Sequence, residues 1–499
     1  MYLLTLTSLT ALALLGTCSP ACLPARDLQV KTDSGLLHGF VKPSTPDVRQ
    51  FLGIPFAHPP TGPRRWFPPS KLRSIASLNA TNIGPACPQI AFGGAESGSS
   101  VYSPGGGNRT EYFPLDWFSE DCLTLNVWAP SSPKTKLPVF VWFYGGGFIQ
   151  GGTSSPYYNP QSWVQRTQKH IVVTVNSRTN IFGFPNAAGV AEQNLGLLDQ
   201  RLALEWVRDE IVHFGGDPSR IIGWGESGGA EAVDYLSFAY PSDPIYSGTI
   251  LDSTTALYPK KAGRTLDTTQ TNFTAVAAAL GCHNASSEID CLRDVQWQDI
   301  EAVLAVDPTL MFLPIVDNST VFENYTERYA VNAVSSVPAL IGTNQHEYNE
   351  GIPNPLSLIF NQSVSDEDTN EIFLCSTART SRLRQSRALT TYRYRYDGNF
   401  SNISPPAYPG AYHASELPLI FGTAGEFHGV STAYENTVSR MMQDFWLNFA
   451  RDPEHGLSRA GWGTYGEGKA AILGDADEPV KDIDISQLDG VCSTLPVIV

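Results

Sequence analysis

Five short segments of this chain, 137–143, 171–175, 220–223, 248–251 and 338–341, are apolar with no alternation between the two faces of a strand. A strand with one face in water alternates apolar and polar residues, so runs like these must be covered on both faces. Helical patterns lie between and after them. Leu202, Trp206, Val207, Ile211 and Phe214 share one helical face, which Gly215-Gly216 and Asp217-Pro218 bring to an end. Towards the C-terminus Val438, Met441, Met442, Phe445, Trp446 and Phe449 recur at helical spacing. Such a stripe could line a ligand groove, but core packing accounts for it more simply. Residues 30–52 read as short strands turning at Asp33-Ser34-Gly35, and 93–108 as a Gly/Ser-rich loop. Buried strands alternating with helices predict an α/β fold with a large, mostly parallel central sheet flanked by helices. No repeat, heptad run or linker divides the chain, so its 499 residues read as a single domain with loop and helical insertions.

Composition narrows the address and the partners. With 33 Lys+Arg against 49 Asp+Glu the formal charge is −16, which argues against nucleic acid, because phosphate binding needs a basic footprint. Residues 1–21 read as a signal peptide, an apolar run ending among small residues and too short for a comfortable membrane span. The remainder, 22–499, reads as the folded domain, with no further run long enough for stable membrane insertion. Nine Asn-x-Ser/Thr sequons, at Asn79, Asn108, Asn272, Asn284, Asn318, Asn324, Asn361, Asn399 and Asn402, are candidate glycosylation sites and agree with secretion. Of eight cysteines, Cys18 and Cys22 lie at the leader; the other six suit disulfides whose connectivity spacing does not give. Oligomeric state is likewise not legible.

The chemistry centres on Arg220-Ile-Ile-Gly-Trp-Gly-Glu-Ser-Gly-Gly229. It holds a G-x-S-x-G element between an apolar strand and the helix-compatible residues 230–238, the setting of a nucleophile elbow that presents Ser227 above the sheet. A serine hydroxyl needs a base, itself oriented by a carboxylate, and in this arrangement both follow the serine in the chain. His283, His346, His413, His428 and His455 are downstream; His413 follows the apolar segment 390–396. Glu347 stands just after another core strand and is the candidate acid, with Glu350 as its rival. Upstream, a core strand ends in Tyr144-Gly-Gly-Gly-Phe148, glycines free to aim backbone N–H groups at a developing oxyanion. A phosphate-binding reading fails, since no Lys-Ser/Thr follows and no G-x-G-x-x-G opens a helix.

Taken together these motifs resemble the type-B carboxylesterase/lipase family, the cholinesterase-like branch of the α/β-hydrolases. Phe51-Leu-Gly-Ile-Pro-Phe-Ala57, Ser119-Glu-Asp-Cys-Leu-Thr-Leu-Asn-Val127 and Asn194-Leu-Gly-Leu-Leu-Asp-Gln-Arg-Leu-Ala-Leu-Glu-Trp-Val-Arg-Asp209 carry the resemblance. So do Phe214-Gly-Gly-Asp-Pro218, the elbow and Gly410-Ala-Tyr-His-Ala-Ser-Glu-Leu-Pro-Leu-Ile-Phe-Gly422. The resemblance implies an α/β-hydrolase fold and hydrolysis of a small-molecule carboxylic ester without metal or cofactor. Ser227 would be the nucleophile, His413 the base, Glu347 the orienting acid, and Gly146, Gly147 and Gly228 the oxyanion donors. It also implies disulfides Cys87–Cys122 and Cys282–Cys291, leaving Cys375 and Cys492 as a third pair or two free thiols. The chain departs from the family in three places. Gly228 replaces the usual Ala and implies looser oxyanion geometry. Only 66 positions separate Glu347 from His413, which implies trimmed pocket walls. Tyr112 stands where choline-hydrolysing members have Trp, Trp117 being nearer Cys122, which argues against choline esters. A lipase acting on longer chains, or a binding module that has lost catalysis, are the alternatives; the latter conflicts with a complete triad.

Overall fold

The computed structural model describes residues 28–89, 118–131, 135–259, 267, 269–350, 362–404, 410–426 and 429–493. The signal peptide, the Gly/Ser-rich loop, Tyr112, Trp117, Asn108, Asn361 and His428 lie outside these residues. The strands are β1 (Gln29–Lys31), β2 (Leu36–His38), β3 (Phe40–Lys42), β4 (Thr45–Pro55), β5 (Ser77–Asn79), β6 (Thr124–Pro130) and β7 (Leu137–Phe143). They continue with β8 (Ile171–Val175), β9 (Gly216–Glu226), β10 (Gly248–Asp252), β11 (Ala339–Asn344), β12 (Thr391–Tyr396), β13 (Lys469–Leu473) and β14 (Val480–Asp484). Eleven of them form one sheet in the order β14-β13-β12-β11-β10-β9-β7-β8-β6-β4-β3. The stretch from β13 to β8 is parallel, and the strands beyond it at both edges are antiparallel.

Every residue of β7, β8, β10 and β11 is buried, as unalternating apolar runs require. The pleat sends alternate side chains to opposite faces. Phe140 and Trp142 of β7 join one core cluster with Trp224, Leu340, Met442 and Trp446, while Val139 and Val141 join the other with Leu204, Val207 and Val233. The C-terminal stripe is therefore core: Val438, Met442, Trp446 and Phe449 are fully buried, and the Trp446 ring lies 5.3 Å from that of Tyr394.

Two family motifs owe their acidic residues to buried arginines. Glu120 receives a two-pronged bond from Arg65, at 2.6 and 2.7 Å, and Asp199 one from Arg178, at 2.8 and 2.7 Å. Paired in this way, charges stay buried without an uncompensated desolvation penalty. Among the described residues three disulfides are formed, Cys87–Cys122, Cys282–Cys291 and Cys375–Cys492, so Cys375 and Cys492 are a pair. Among the described sequons, Asn79, Asn284, Asn318, Asn324 and Asn399 are exposed. Asn272 is half-buried, its amide donating to Met311 O at 2.9 Å. Asn402 is a correction: it is buried and donates to Ala424 O and Glu435 Oε1, so its amide nitrogen has no room for a glycan.

The helix Trp297–Val306 is tied to the segment behind the glycine loop through Glu301, whose Oε1 accepts from Asn180 Nδ2 at 2.8 Å. Its Oε2 is buried with no partner among the described residues, and burial pushes the carboxyl pKa up to about 8. The folded protein therefore keeps this proton well above the pH, near 4.5, at which the unfolded chain releases it. Stability is lost as pH rises through that window. Glu301→Gln, which does not titrate, should gain on the wild type by up to about 1.4 kcal/mol per pH unit between pH 5 and 8. Denaturant unfolding across that range measures the difference, and a flat difference would remove this role.

Candidate active site

β9 ends at Glu226 and the helix Gly228–Ala239 begins two residues later, with Ser227 between them at φ 54°, ψ −129°. Left-handed backbone is costly for a residue with a Cβ and persists only where the surroundings impose it. Here the glycines either side impose it. A Cβ on Gly229 would sit 2.0 Å from Phe143 O, and one on Gly225 would sit 2.3 Å from the Gly229 carbonyl carbon. The turn is pinned to the next strand by Ser227 N donating to Asp252 O at 2.9 Å.

The side chains named from the sequence meet around this turn. His413 Nε2 lies 2.9 Å from Ser227 Oγ, and His413 Nδ1 lies 2.7 Å from Glu347 Oε2. Glu347 is buried just beyond β11, its other oxygen accepting from Asn344 N at 2.7 Å. The side chain of Glu350, the rival acid, lies outside the described residues. His283 and His455 are exposed, and His346 pairs with Asp366 at 3.0 Å. Phe373, on a π-helical turn between the acid and the base, places its ring 5.0 Å from that of His413.

The glycine loop closes on the start of the helix. Gly146 and Gly147 have φ of 102° and 63°, and a Cβ on Gly146 would meet Gln150 O at 2.4 Å. A Cβ on Gly228 would lie 3.2 Å from the amide nitrogens of both Gly147 and Phe148. Loop and helix amides thus lie together beside Ser227. Behind the loop, Tyr144 OH donates to Ser177 O at 2.9 Å and accepts from Ser177 N at 3.3 Å. Burial pushes this phenol up to about 12, so it stays neutral.

Sequence reasoning missed three buried acids beneath the triad. Glu226 Oε1 lies 3.2 Å from His413 Nε2. Glu416 accepts from Asn344 Nδ2, and Asp252 accepts from Tyr394 OH and Trp224 Nε1, each at 2.6 Å. Burial pushes Asp252 up to about 7; burial and repulsion from Asp252, Glu226 and Glu347 hold Glu416 well above the usual carboxylate range. Their positions beside the serine, beside the histidine and at the end of β10 were the available signal. The one His/carboxylate group among the described residues with metal-ligand spacing is Asp33, Glu210 and His213. It flanks the opposite end of β9, where Glu210 accepts from Asp33 N and braces the first turn to the helix.

Comparison with known proteins agrees with this geometry. The profile of the carboxylesterase family matches residues 26–372 and 360–482. This chain belongs to the carboxylesterase family. It is 43% identical over 442 residues to a chlorogenic acid esterase of Aspergillus niger, covering 87% of this chain and 84% of that one. It is 40% identical over 495 residues to secreted lipase 5 of Gibberella zeae, covering 91% of each. It is 29% identical over 517 residues to an acetylcholinesterase of Bungarus fasciatus, covering 90% and 83%. The α/β-hydrolase fold expected from the sequence is the fold of this carboxylesterase, and the chain is an enzyme of the ester-hydrolysing class. Among the described residues no helix is long and apolar enough to cross a membrane.

Tyr144 stands at the base of the glycine loop. Tyr144→Phe leaves both Ser177 backbone groups without this partner in a buried place and should destabilise the protein by about 1–3 kcal/mol. Urea unfolding at neutral pH measures it; no loss would mean that the loop is anchored elsewhere.

Proposed function

We propose that this carboxylesterase is a secreted serine hydrolase of small carboxylic esters, working through Ser227, His413 and Glu347 and an acyl-enzyme. The observation that carries the reading is the unbroken relay from Glu347 through His413 to Ser227, at 2.7 and 2.9 Å, beside the glycine amides. His413 takes the proton of Ser227 Oγ as that oxygen attacks the ester carbonyl. Glu347 keeps Nε2 of the imidazole turned to the serine and stabilises the imidazolium. The N–H groups of Gly146, Gly147 and Gly228 receive the oxyanion. His413 then protonates the leaving alcohol, and water attacks the acyl-enzyme by the same route in reverse. No step calls on a metal or an organic cofactor.

Export is supported by the apolar leader, the exposed sequons and the three disulfides, which persist in oxidising compartments. The relative named a secreted lipase points the same way. The esterase and the lipase share the ester bond as target, which is the chemistry carried over here.

Ser227→Ala should lower kcat/KM on p-nitrophenyl acetate by about 10⁴-fold or more with unchanged unfolding behaviour. An organophosphonate probe should label the wild type on Ser227 and leave the variant unlabelled. Wild-type turnover by a folded Ser227→Ala protein would refute the assignment.

A further inference from the structure

A cavity of about 640 Å³ has a wall that holds none of Ser227, His413, Glu347 or the glycine loop, but includes Asn324 and Thr326, the two ends of a glycosylation sequon. Its rim is exposed at Glu323, Asn324, Thr326 and Glu327, and its floor is buried at Tyr235, Leu313 and Tyr325. The other exposed sequons described above, at Asn79, Asn284, Asn318 and Asn399, have no part in this wall. The Asn324 amide is held by its oxygen: Glu327 N donates to Oδ1 at 3.0 Å and caps the helix Tyr325–Ala330. Its Nδ2, the atom to which a glycan is joined, has no hydrogen-bond partner among the described residues. Asn272 and Asn402 differ, each donating Nδ2 to a backbone carbonyl. A sugar on Asn324 leaves the cap intact, because the linkage uses one N–H of Nδ2 and spares Oδ1. Such a sugar starts at the mouth of the cavity.

The wall suits the first sugar of an asparagine-linked chain, N-acetylglucosamine. A pyranose carries C–H groups on its faces and hydroxyls around its edge. The C–H groups are weakly positive and settle on the negative faces of aromatic rings. Phe322, two residues before Asn324, and Tyr258 bring half-buried rings to the cavity. The Phe322 ring is held in place: the Arg328 guanidinium lies 3.8 Å from its centre, and Phe322 N donates to Tyr325 OH at 3.1 Å. On the rim, the Glu323 and Glu327 carboxylates make no hydrogen bond among the described residues and are acceptors for sugar hydroxyls. Thr326 Oγ1 accepts from Arg379 Nη2 at 3.0 Å, which ties the rim to the helix Cys375–Ser386. Contacts of this kind are individually weak, and a free monosaccharide would not stay. Tethering changes the balance, since a short link gives an effective concentration in roughly the mM range and half fills even a site of mM affinity. Empty, the cavity leaves ring faces to water; filled, it covers them.

We infer that this cavity is the seat of the protein's own glycan, with the first N-acetylglucosamine on Asn324 lying on Phe322 inside the rim. The seat goes beyond the ester chemistry, which it does not touch. It rests on the export proposed above, because N-glycosylation belongs to the secretory route. In the sequence Asn324 is one sequon among nine, and its place in the wall is what sets it apart.

The test uses the full chain secreted from eukaryotic cells. Glycopeptide mass spectrometry should find Asn324 occupied. Release by peptide N-glycosidase from the native protein should be about tenfold slower at Asn324 than at the other occupied, exposed sequons, because cleavage follows the undocked fraction. Phe322→Leu keeps apolar bulk and loses the flat face, and should bring the Asn324 rate to within about threefold of theirs. A bare Asn324 beside occupied sequons, equal release in the wild type, or slow release unchanged by Phe322→Leu each overturn the inference. Where Phe322→Leu does not fold, proton NMR on wild-type protein trimmed to one N-acetylglucosamine per site gives the answer. Ring currents should move the C–H signals of the Asn324 sugar upfield of those on the other sequons; signals that coincide with theirs overturn the inference. Failure of the export reading looks different, with no glycan on any sequon and the chain retained in the cells.

Discussion

A serine held in left-handed backbone at the end of a buried strand is the constraint on which this active centre depends. The conformation costs about 1–3 kcal/mol for a residue with a Cβ and does not persist unless packing enforces it. Enforcement comes from the parallel sheet, in which β9 lies between β7 and β10. Gly229 rests on Phe143 O at the end of β7, and Ser227 N is held by Asp252 O at the end of β10. The same packing delivers the rest. Where β7 ends, the glycine loop starts; where β11 ends, Glu347 follows within three residues of Asn344. Ser227, the glycine-loop amides and Glu347 are thus all placed by neighbouring strand ends at one edge of the sheet.

The acids beneath the triad give this arrangement its electrostatic character. Glu226, Glu347, Glu416 and Asp252 share a buried region, and mutual repulsion with burial keeps protons on some of them. His413 touches two of the four, Glu347 at 2.7 Å and Glu226 at 3.2 Å. An imidazolium formed there meets negative or polar partners on both nitrogens while Ser227 Oγ is still within hydrogen-bond range. In the proposed mechanism charge appears on the histidine only as the serine attacks, and these groups would then favour the transition state more than the resting enzyme. Protons held on Asp252 and Glu416 limit the repulsion that four bare carboxylates would generate in so small a volume.

What was legible in the sequence follows from which groups act locally. β7 and β8 have their observed bounds because strands buried on both faces leave no polar residue to blur them. β9 runs from Gly216, four residues before the apolar segment suggested, because Asp217 and Ser219 lie in its polar entry. β14 was not legible at all: Val480-Lys-Asp-Ile-Asp484 is an exposed antiparallel edge, recognisable only through its pairing with β13. That Ser227, His413, Glu347 and the glycine loop come together was legible because each sits directly after a core strand or in a fixed local motif. The Cys375–Cys492 bridge spans 117 positions and depends on how the last helices return to the sheet. The sequon at Asn402 failed for the same reason, since its two acceptors come from residues 22 and 33 positions away. The cavity draws its walls from segments around 231, 258, 322 and 379, and no local pattern joins them.

The helix Gly228–Ala239 links the strained turn at Ser227 to a neighbouring cavity. Its first amide, that of Gly228, lies against the glycine loop, its first turn closes on Ser227 O, and its second turn carries Tyr235 into the cavity wall. Glu231 cannot shift along the helix without disturbing the bond between its own N–H and Ser227 O, the bond that helps hold the strained turn.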